Sequence, residues 1–265
     1  MNKKTIQSVF LGMVLLLMYL PILILAVYSF MDSAIIGKSG SFTVKNYVYL
    51  FHSEDLRSMI FGTLILAVVV AVISTILGTL GAIGAFYSSK KFKRPIHLMN
   101  QIPVVNADVV TGFSICVLLI VFFKMDKASY VPLVIGLVSL CSPFVYLSVI
   151  PRLKQMDPQL YEAALDLGCS PFGALRKVVL PQLTSGIVSG FMMSITLTLD
   201  DYFITTYTKP SMFDTISTYV VNATKGAQTD VKTALWALST IIFLIVIFVV
   251  IGMNHTGRKE NDHEI

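Results

Sequence analysis

Residues 58 to 87 read SMIFGTLILAVVVAVISTILGTLGAIGAFY, a stretch without a single charged side chain. A helix that crosses the hydrocarbon core of a bilayer needs about 20 consecutive, mostly apolar residues. The stretch exceeds that length and is bounded by charge, at Arg57 on one side and at Lys90 on the other. It therefore predicts a membrane-spanning α-helix.

Five more apolar runs bounded by charge occur along the chain and bring the predicted number of spanning helices to six. The five runs cover approximately residues 7–31, 98–123, 131–150, 184–208 and 234–253. The 265 residues include 55% apolar and 13% charged side chains, and the mean hydropathy is +0.77. Because this composition leaves little for a water-exposed domain, we expect an all-α membrane protein with one transmembrane domain over residues 1–265.

The positive charges indicate how the chain lies in the membrane. Six spans place both termini on one side, and the short loop SSKKFKR, residues 88–94, carries four cations. Short loops rich in lysine and arginine lie in the cytoplasm, so we expect both termini there. The first run is longer than a signal-peptide core and lacks a small-residue cleavage site, which favours an uncleaved helix. The net charge of +5 then needs no nucleic-acid partner.

The cysteines and histidines predict neither a disulfide nor a metal site. Cys116 and Cys141 fall in predicted spans and Cys169 in a predicted cytoplasmic loop, a distribution that does not suit a structural disulfide. The four histidines are scattered over loops and tails without the spacing of metal ligands. We expect no metal and no catalytic residue in this chain.

The longest predicted cytoplasmic loop, residues 151–183, has the start and stop signals of two short helices. An Asp-Pro pair and a Ser-Pro pair each supply an N-cap followed by a favoured first helical residue. A glycine between them can take the left-handed conformation that ends a helix. In chain order the signals are Asp157–Pro158, Gly168, Ser170–Pro171, and Pro181, before which the second helix is expected to end.

The first of these helices has an apolar stripe beside two like charges. Glu162 and Asp166 lie four residues apart, a spacing that costs an isolated helix a few tenths of a kcal/mol. A basic partner surface would explain the pair, and a solvated acidic face would explain it equally. The apolar stripe consists of Leu160, Ala163, Ala164 and Leu167.

The same loop resembles the EAA loop of the permeases of ATP-binding-cassette (ABC) importers. The matching string is Glu162-Ala163-Ala164, three residues, Gly168, nine residues, Val178, one residue, and Leu180-Pro181. The family has isoleucine where this chain has Val178. The resemblance implies the type I importer permease fold, with this loop between the fourth and fifth spans. It also implies that the loop, and Glu162 and Gly168 in particular, docks on a separate ATP-hydrolysing subunit.

ATP itself has no predicted site on this chain. The phosphate-binding pattern G-x-x-x-x-G-K-[ST] is absent, because the Gly37–Lys38 pair has Asp32 where the leading glycine belongs. We therefore expect ATP and magnesium to bind the partner ATPase, and this chain to be a transporter subunit rather than an enzyme.

Three aspartates in the predicted spans are the candidate substrate path. Asp108 lies near the middle of the third span, and Asp200 and Asp201 lie beyond the middle of the fifth. A charge at a helix centre costs about 2.5–3.5 kcal/mol on insertion scales, and the interiors of the predicted spans hold no lysine or arginine. The remaining explanations are a protonated carboxyl, a helix-end or hydroxyl partner, a cation on another subunit, or a cationic solute in a wet path.

The geometry of a helix separates the two neighbouring aspartates. Adjacent residues point about 100° apart, so Asp200 and Asp201 do not face one cavity unless the helix is broken between them. One of the two is then structural, and the sequence leaves open which. Tyr202 nearby and Tyr19 in the first span offer aromatic faces for an alkylammonium group. Tyrosines near the end of a span are also typical of the interfacial belt.

Three further segments are similar to the membrane subunit of spermidine/putrescine importers, in its second, C-type form. They are residues 1–30, IPVVNADVVTG from Ile102 and LDDYFITTY from Leu199. This resemblance implies a bacterial inner-membrane heterodimer of two related permeases, two ATPase subunits and a periplasmic polyamine-binding protein. Spaced carboxylates agree with a substrate that carries several ammonium groups. Related permeases carry other solutes, so iron, thiamine or putrescine alone stay open as substrates.

Intramembrane proteases and proton-coupled carriers are the alternatives from other functional classes. An intramembrane aspartyl protease would need G-x-G-D, which the sequence lacks. A rhomboid-like serine protease would need a histidine deep in a span, and none of the four histidines lies there. A proton-coupled secondary carrier also uses buried carboxylates. The EAA string favours the ABC importer over that carrier.

Overall fold

The computed structural model describes residues 3–33, 40–105, 108–157, 159–226, 233, 235–244 and 247. Apart from an isolated β-bridge between Met31 and Phe42, the regular structure in these ranges is helical, which confirms the all-α prediction for this part of the chain. The helices are α1 (Lys3–Tyr28), α2 (Lys45–His52), α3 (Glu54–Tyr87), α4 (Lys90–Val105), α5 (Asp108–Cys116), α6 (Val131–Gln155), α7 (Gln159–Asp166), α8 (Pro171–Ala174), α9 (Leu180–Gln182), α10 (Thr184–Asp200), α11 (Phe203–Thr208) and α12 (Ile216–Gly226), followed by the shorter apolar helix α13 (Leu235–Leu244). Two π-helical segments continue these helices, Val117–Phe122 after α5 and Leu175–Val179 between α8 and α9.

Three of the described helices are long and apolar enough to cross a membrane, and two bent pairs bring the number to five if each pair forms one span. The three are Gln7–Tyr28 within α1, α3 and α6; the pairs are Lys93–Val105 with Val109–Phe122, bent by 108°, and Pro171–Gln182 with Thr184–Asp200, bent by 71°. Of the predicted sixth span, residues 234–253, only 235–244 and 247 lie within the described residues. The count of six spans stays a prediction.

Two predicted spans differ from continuous helices. In the third, residues 98–123, α4 begins in the basic loop at Lys90 and contains two prolines, Pro95 and Pro103, each of which removes a backbone hydrogen bond. In the fifth, residues 184–208, α10 ends at Asp200 because Asp201 has an extended backbone, with φ −64° and ψ 122°. The break in the fifth span falls at the aspartate pair.

The chain divides into two compact units, and the first comprises residues 1–58 and 220–265. In this unit Asn46 donates hydrogen bonds to the carbonyl oxygens of Ser29 and Met31, at 2.8 and 3.0 Å. The Ser29 hydroxyl lies 2.8 Å from the Tyr47 hydroxyl. These contacts fix the chain where α1 ends and turns towards α2.

The second unit, residues 59–219, is built around α6. The face of α10 towards α6 consists of small residues four apart: Gly186, Gly190, Ser194 and Thr198. Small residues allow helix backbones to approach closely, which is how helices associate in a membrane. Val145 of α6 lies at the tightest point. A Cβ on Gly190 would lie 3.1 Å from the Val145 Cα, and a Cβ on Gly78 of α3 would lie 2.6 Å from the Val145 Cβ.

The same unit ties residues 151–183 to the spans. One buried cluster joins Val149 and Leu153 of α6 to Ala82 of α3, and it also contains Val179 and Leu183. The last two belong to the predicted cytoplasmic loop, and both are fully buried. The end of that loop is therefore part of the helical core rather than a free connection.

We predict that Gly78→Ala destabilises the protein and Gly84→Ala does not. The new methyl at position 78 meets Val145 and the Ser142 carbonyl oxygen at 2.6 and 2.8 Å, and overpacking of this kind costs about 1–3 kcal/mol. At Gly84, on the same helix, nothing lies within 4 Å, so alanine gains only its helix propensity. The measurement is the thermal unfolding midpoint of each variant in detergent. Equal midpoints for both variants would contradict close packing at Gly78.

Candidate coupling segment and substrate path

The structure confirms the predicted helix–turn–helix in the loop that joins α6 to α10. The Asp157 carboxylate accepts a hydrogen bond from the Gln159 backbone N–H at 2.9 Å, at the start of α7. Pro158, predicted as the first helical residue, lies outside the described residues. The Ser170 hydroxyl accepts from the Gly173 N–H at 3.1 Å and caps α8, whose first residue is Pro171. Both N-caps satisfy donors that a helix start leaves free.

Gly168 ends α7 in the left-handed conformation, with φ +84°. The Gly168 N–H donates to the Leu165 carbonyl oxygen, and the Cys169 N–H donates to the Ala164 carbonyl oxygen at 3.0 Å. This pair of bonds is the Schellman motif, which satisfies carbonyls at a helix end and favours glycine at this position. The prediction that Gly168 turns the chain is confirmed.

The predicted end of the second helix before Pro181 is wrong. Helical backbone continues from Pro171 through the π-helical segment Leu175–Val179 to Gln182. Pro181 lies in the first turn of α9, where a missing N–H costs nothing, and the wider π-helical turn comes before it. Leu180 is 36% exposed.

The face that α7 and α8 turn to solvent is both apolar and acidic. Leu167 is 86% and Phe172 is 75% exposed. Glu162 and Ala163 are also exposed, whereas Ala164 is buried against this chain. The predicted apolar stripe therefore divides into an inner part at Ala164 and an outer part at Leu160, Ala163 and Leu167.

The inner side of the segment is held to the spanning helices. The Tyr161 ring of α7 lies 4.9 Å from the Tyr87 ring at the end of α3, centroid to centroid. Leu175 packs against the buried cluster that contains Val149 and Leu153. A cavity of about 480 Å³ separates the segment from part of α3, and Thr79, Arg176 and Ile187 are among the residues that line it. A movement of α7 and α8 has direct contacts through which it can reach α3 and α6.

The second candidate site lies at the break between α10 and α11. Asp201 is 8% exposed, and its Oδ2 atom accepts two hydrogen bonds of 2.8 Å from Thr205, one from the backbone N–H and one from the hydroxyl. The Ser217 hydroxyl donates to the Asp201 carbonyl oxygen. The Asp201 side chain therefore starts α11, and its negative charge is stabilised by the N-terminal end of that helix.

Asp200 has a different environment. Its side chain is exposed, and it forms no hydrogen bond or ion pair with the described part of the chain. It is the last residue of α10, where the helix dipole opposes a negative charge. Within the described residues, nothing offsets the negative charge of the Asp200 carboxylate.

Helix α11 is fixed in place by one apolar side chain. Ile204 is fully buried between two glycines: a Cβ on Gly112 of α5 would lie 3.1 Å from its backbone N, and a Cβ on Gly136 of α6 would lie 2.9 Å from its Cγ2. Beyond α11, Lys209 pairs with Asp214 at 2.8 Å and donates to the Phe213 carbonyl oxygen at 2.7 Å. Specific contacts of α11 and of the residues that follow it therefore stabilise the helix break at Asp200 and Asp201.

The other predicted path residues are less constrained by the structure. Asp108 is the first residue of α5, and its side chain lies outside the described residues. Tyr202 is half-buried, with its ring 5.3 Å from that of Phe203 in an edge-to-face arrangement. Tyr19 of α1 is 51% exposed and belongs to the other compact unit.

Sequence reasoning missed Thr205 and Ser217, which hold Asp201. The contact with Thr205 could have been predicted from the sequence. Asp201 and Thr205 are four residues apart, and a short polar side chain can bond to the backbone at that spacing. Ser217 lies 16 residues beyond Asp201, and no local pattern connects the two.

Solved structures with the same fold are membrane transporters. A chain of the bacterial alginate ABC transporter, solved with a pentasaccharide-bound periplasmic protein, superposes with a TM-score of 0.72 at 17% identity, covering 96% of this chain and 94% of that one. A chain of an amino acid ABC transporter superposes with a TM-score of 0.51 at 18% identity, covering 78% and 94% of the two chains. This chain shares its fold with those two transporter chains.

The chain belongs to the family of binding-protein-dependent transport system inner membrane components, whose family model matches residues 77–256. It is 29% identical over 245 residues to the spermidine/putrescine transport system permease protein PotC of Escherichia coli strain K12, covering 92% of this chain and 90% of that one. It is 27% identical to PotC of Haemophilus influenzae, covering 98% and 100%. It is 29% identical to the putrescine transport system permease protein PotI of E. coli, covering 85% and 81%. The predicted family is confirmed.

We predict that Asp201→Ala destabilises the protein whereas Asp200→Ala does not. Removing the Asp201 carboxylate leaves the buried Thr205 N–H and hydroxyl without their acceptor, and leaving a buried donor unsatisfied costs about 1–3 kcal/mol. Removing the Asp200 carboxylate takes an unfavourable charge from the end of α10. Thermal unfolding midpoints in detergent compare the two variants. A larger loss for Asp200→Ala would contradict these assignments.

Proposed function

We propose that this chain is a permease subunit of an ABC importer that carries polyamines, spermidine or putrescine, into the cell by alternating access. The observation that carries the proposal is the exposed carboxylate of Asp200, which has no partner among the described residues and lies at a helix break in a permease fold. Carboxylates at membrane depth mark the path of a cation. The names of its relatives, which transport spermidine and putrescine, point to the same class of solute.

The path is proposed to use its acidic residues in different roles. Asp200 contacts an ammonium group of the solute, and Asp201 orients that contact by holding the start of α11. Asp108 and the aromatic faces of Tyr202 and Tyr19 are proposed to contribute further along the route. An ammonium group over a tyrosine ring gains about 0.5–2 kcal/mol, depending on how dry the site is.

The partners proposed for this chain follow from its family. A second, related permease completes the pathway, two ATPase subunits bind ATP and magnesium, and a periplasmic protein delivers the polyamine. We propose six spans in a bacterial inner membrane with both termini in the cytoplasm. The basic loop at residues 88–94 then lies on the same side as α7 and α8, which agrees with the positive-inside rule.

Coupling is proposed to run through α7 and α8, the EAA loop. Their exposed apolar side chains, Leu167 and Phe172, dock in a groove of the ATPase, and Glu162 pairs with a cation at its edge. Closure of the ATPase subunits then moves this segment. Ala164, Leu180 and Pro181 belong to the inner side, which passes the movement to α3, α6 and α10 through the buried cluster at Val179 and Leu183.

The experiment that tests the function is uptake of labelled spermidine and putrescine by bacterial cells that lack their own importers. The cells receive this chain with its partner permease, ATPase and binding protein. We expect energised uptake that stops when the ATPase is inactivated. If an assembled, ATP-hydrolysing complex took up neither polyamine, the proposed substrate would be contradicted. The proposed importer architecture would be unaffected.

We predict that Asp200→Asn lowers the kcat/KM of polyamine uptake about tenfold or more without loss of assembly. A hydrogen bond to a charged group contributes about 1.5–3 kcal/mol, and the amide keeps the shape but not the charge. The matched control is Asp126→Asn, because Asp126 is also exposed and the amide retains the oxygen that accepts from the Ala128 N–H. Unchanged uptake by the Asp200 variant, with the same amount of complex, would remove this residue from the path.

We predict that Glu162→Lys uncouples the importer. The charge reversal turns the proposed attraction to the ATPase into repulsion, so we expect at least a tenfold loss of ATPase subunit recovered with the permease. The matched control is Glu54→Lys, which reverses an exposed glutamate in the first turn of α3. Recovery of the ATPase at the normal level with the Glu162 variant would contradict the docking role, whatever the substrate.

A further inference from the structure

A basic pocket lies between the start of α4 and the last turns of α6. Its volume is about 370 Å³, within the range of small-ligand sites. Two kinds of residue line it. The polar part is Lys93, Arg94, His97 and Lys154, and the floor is Ala85, Tyr146 and Ile150.

The cations of this pocket are not neutralised by the chain. Arg94 and Lys154 have no carboxylate within 4.0 Å in the part of the chain that the structure describes. Lys93 is held by the chain without being neutralised, because it donates to the Phe86 carbonyl oxygen at 3.1 Å and lies 4.6 Å from the centre of the Phe86 ring. Lys93, Arg94 and Lys154 are exposed, so solvent screens much of their mutual repulsion, and an anion that enters from solvent can reach all three.

One tyrosine of the pocket lining has a hydroxyl without a hydrogen-bond partner among the described residues. The Tyr146 side chain is 2% exposed, lines the pocket, and forms no hydrogen bond with any other described residue. The hydroxyls of Ser142 and Ser148, also on α6, donate to carbonyl oxygens one turn back, at 2.6 and 3.0 Å. An acceptor inside the pocket would satisfy Tyr146 as well as the cations.

We propose that this pocket binds the phosphate of an anionic phospholipid headgroup. Phosphate oxygens accept hydrogen bonds from guanidinium, ammonium and phenol groups at once. The floor is apolar and continues along spanning helix α6, which suits the glycerol and the start of the acyl chains better than a free anion. Basic pockets between membrane helices on the cytoplasmic side are where anionic headgroups bind.

The position of the pocket gives such a lipid a consequence for the coupling segment. Ala85 and Ile150 of the pocket floor belong to the same buried cluster as Val179 and Leu183, against which Tyr161 of α7 packs. A lipid that fills the pocket braces α4 against α6 directly beside that cluster. The inference does not depend on the solute that the importer carries.

The test is native mass spectrometry of the assembled importer, purified in mild detergent from bacterial membranes and supplied with phosphatidylglycerol or phosphatidylcholine. We expect phosphatidylglycerol to stay bound to the wild type and phosphatidylcholine to be lost. Arg94→Gln with Lys154→Gln should weaken retention about fivefold for each cation removed. Lys93 is left in place because it also holds Phe86.

The matched control is Arg152→Gln. Arg152 lies two residues from Lys154 on α6, so it points about 200° away around the helix, and it does not line the pocket. A second variant, Tyr146→Phe, removes only the hydroxyl and tests the same site if the double variant fails to assemble; we expect weaker retention with normal assembly.

Each remaining outcome would overturn the proposal. Equal retention of phosphatidylglycerol by the wild type, the double variant and Tyr146→Phe would place the lipid elsewhere. Displacement of the lipid by millimolar inorganic phosphate, with equal binding of phosphate alone, would make this a free-phosphate site. Loss of the ATPase subunit from the double variant with unchanged lipid retention would assign the pocket to acidic residues of that subunit.

Discussion

The closest packing in the described structure is that of Val145 on α6 between Gly78 on α3 and Gly190 on α10, and the two candidate sites both depend on it. In a bilayer the lipid is as apolar as the helices, so helices associate by close packing rather than by exclusion of water. The two glycines permit distances that a methyl group would prevent. Because α6 is held on both sides at this point, the residues before and after Val145 can present separate sites at the two ends of the same helices.

One end carries the exposed helices α7 and α8, and the other carries the break. Towards its end, α6 contributes Val149 and Leu153 to the cluster that anchors the EAA loop. Towards its start, Gly136 receives Ile204 and thereby fixes α11. Helix α10 joins the two regions, since it begins directly after the EAA loop and ends at Asp200. A tilt of α10 against α6 would therefore change the position of Asp200 whenever the loop moves, which is the mechanical requirement of alternating access.

Sequence patterns predicted the local structure well where a few neighbouring residues determine it. The caps at Asp157 and Ser170 and the left-handed turn at Gly168 follow from residue chemistry within one helical turn. The predicted helix end before Pro181 is wrong because the preceding π-helical segment accommodates the proline, and that segment has no clear sequence signature. The break at Asp201 depends on Ser217 and on the seat of Ile204 between two distant glycines. These are tertiary contacts, and the apolar pattern alone predicts one continuous helix across the break.

The division of roles between Asp200 and Asp201 has a simple physical origin. A carboxylate that is buried and accepts hydrogen bonds from a helix N-terminus is already stabilised, so it has little to gain from a solute. Its neighbour lies at the opposite kind of helix end, exposed and opposed by the dipole, and gains the most from an approaching cation. The hydrogen bonds that stabilise Asp201 also form the helix break. That break leaves Asp200 at the end of α10. The two adjacent aspartates therefore differ in role: Asp201 holds the start of α11, and Asp200 has no partner within the part of the chain that the structure describes.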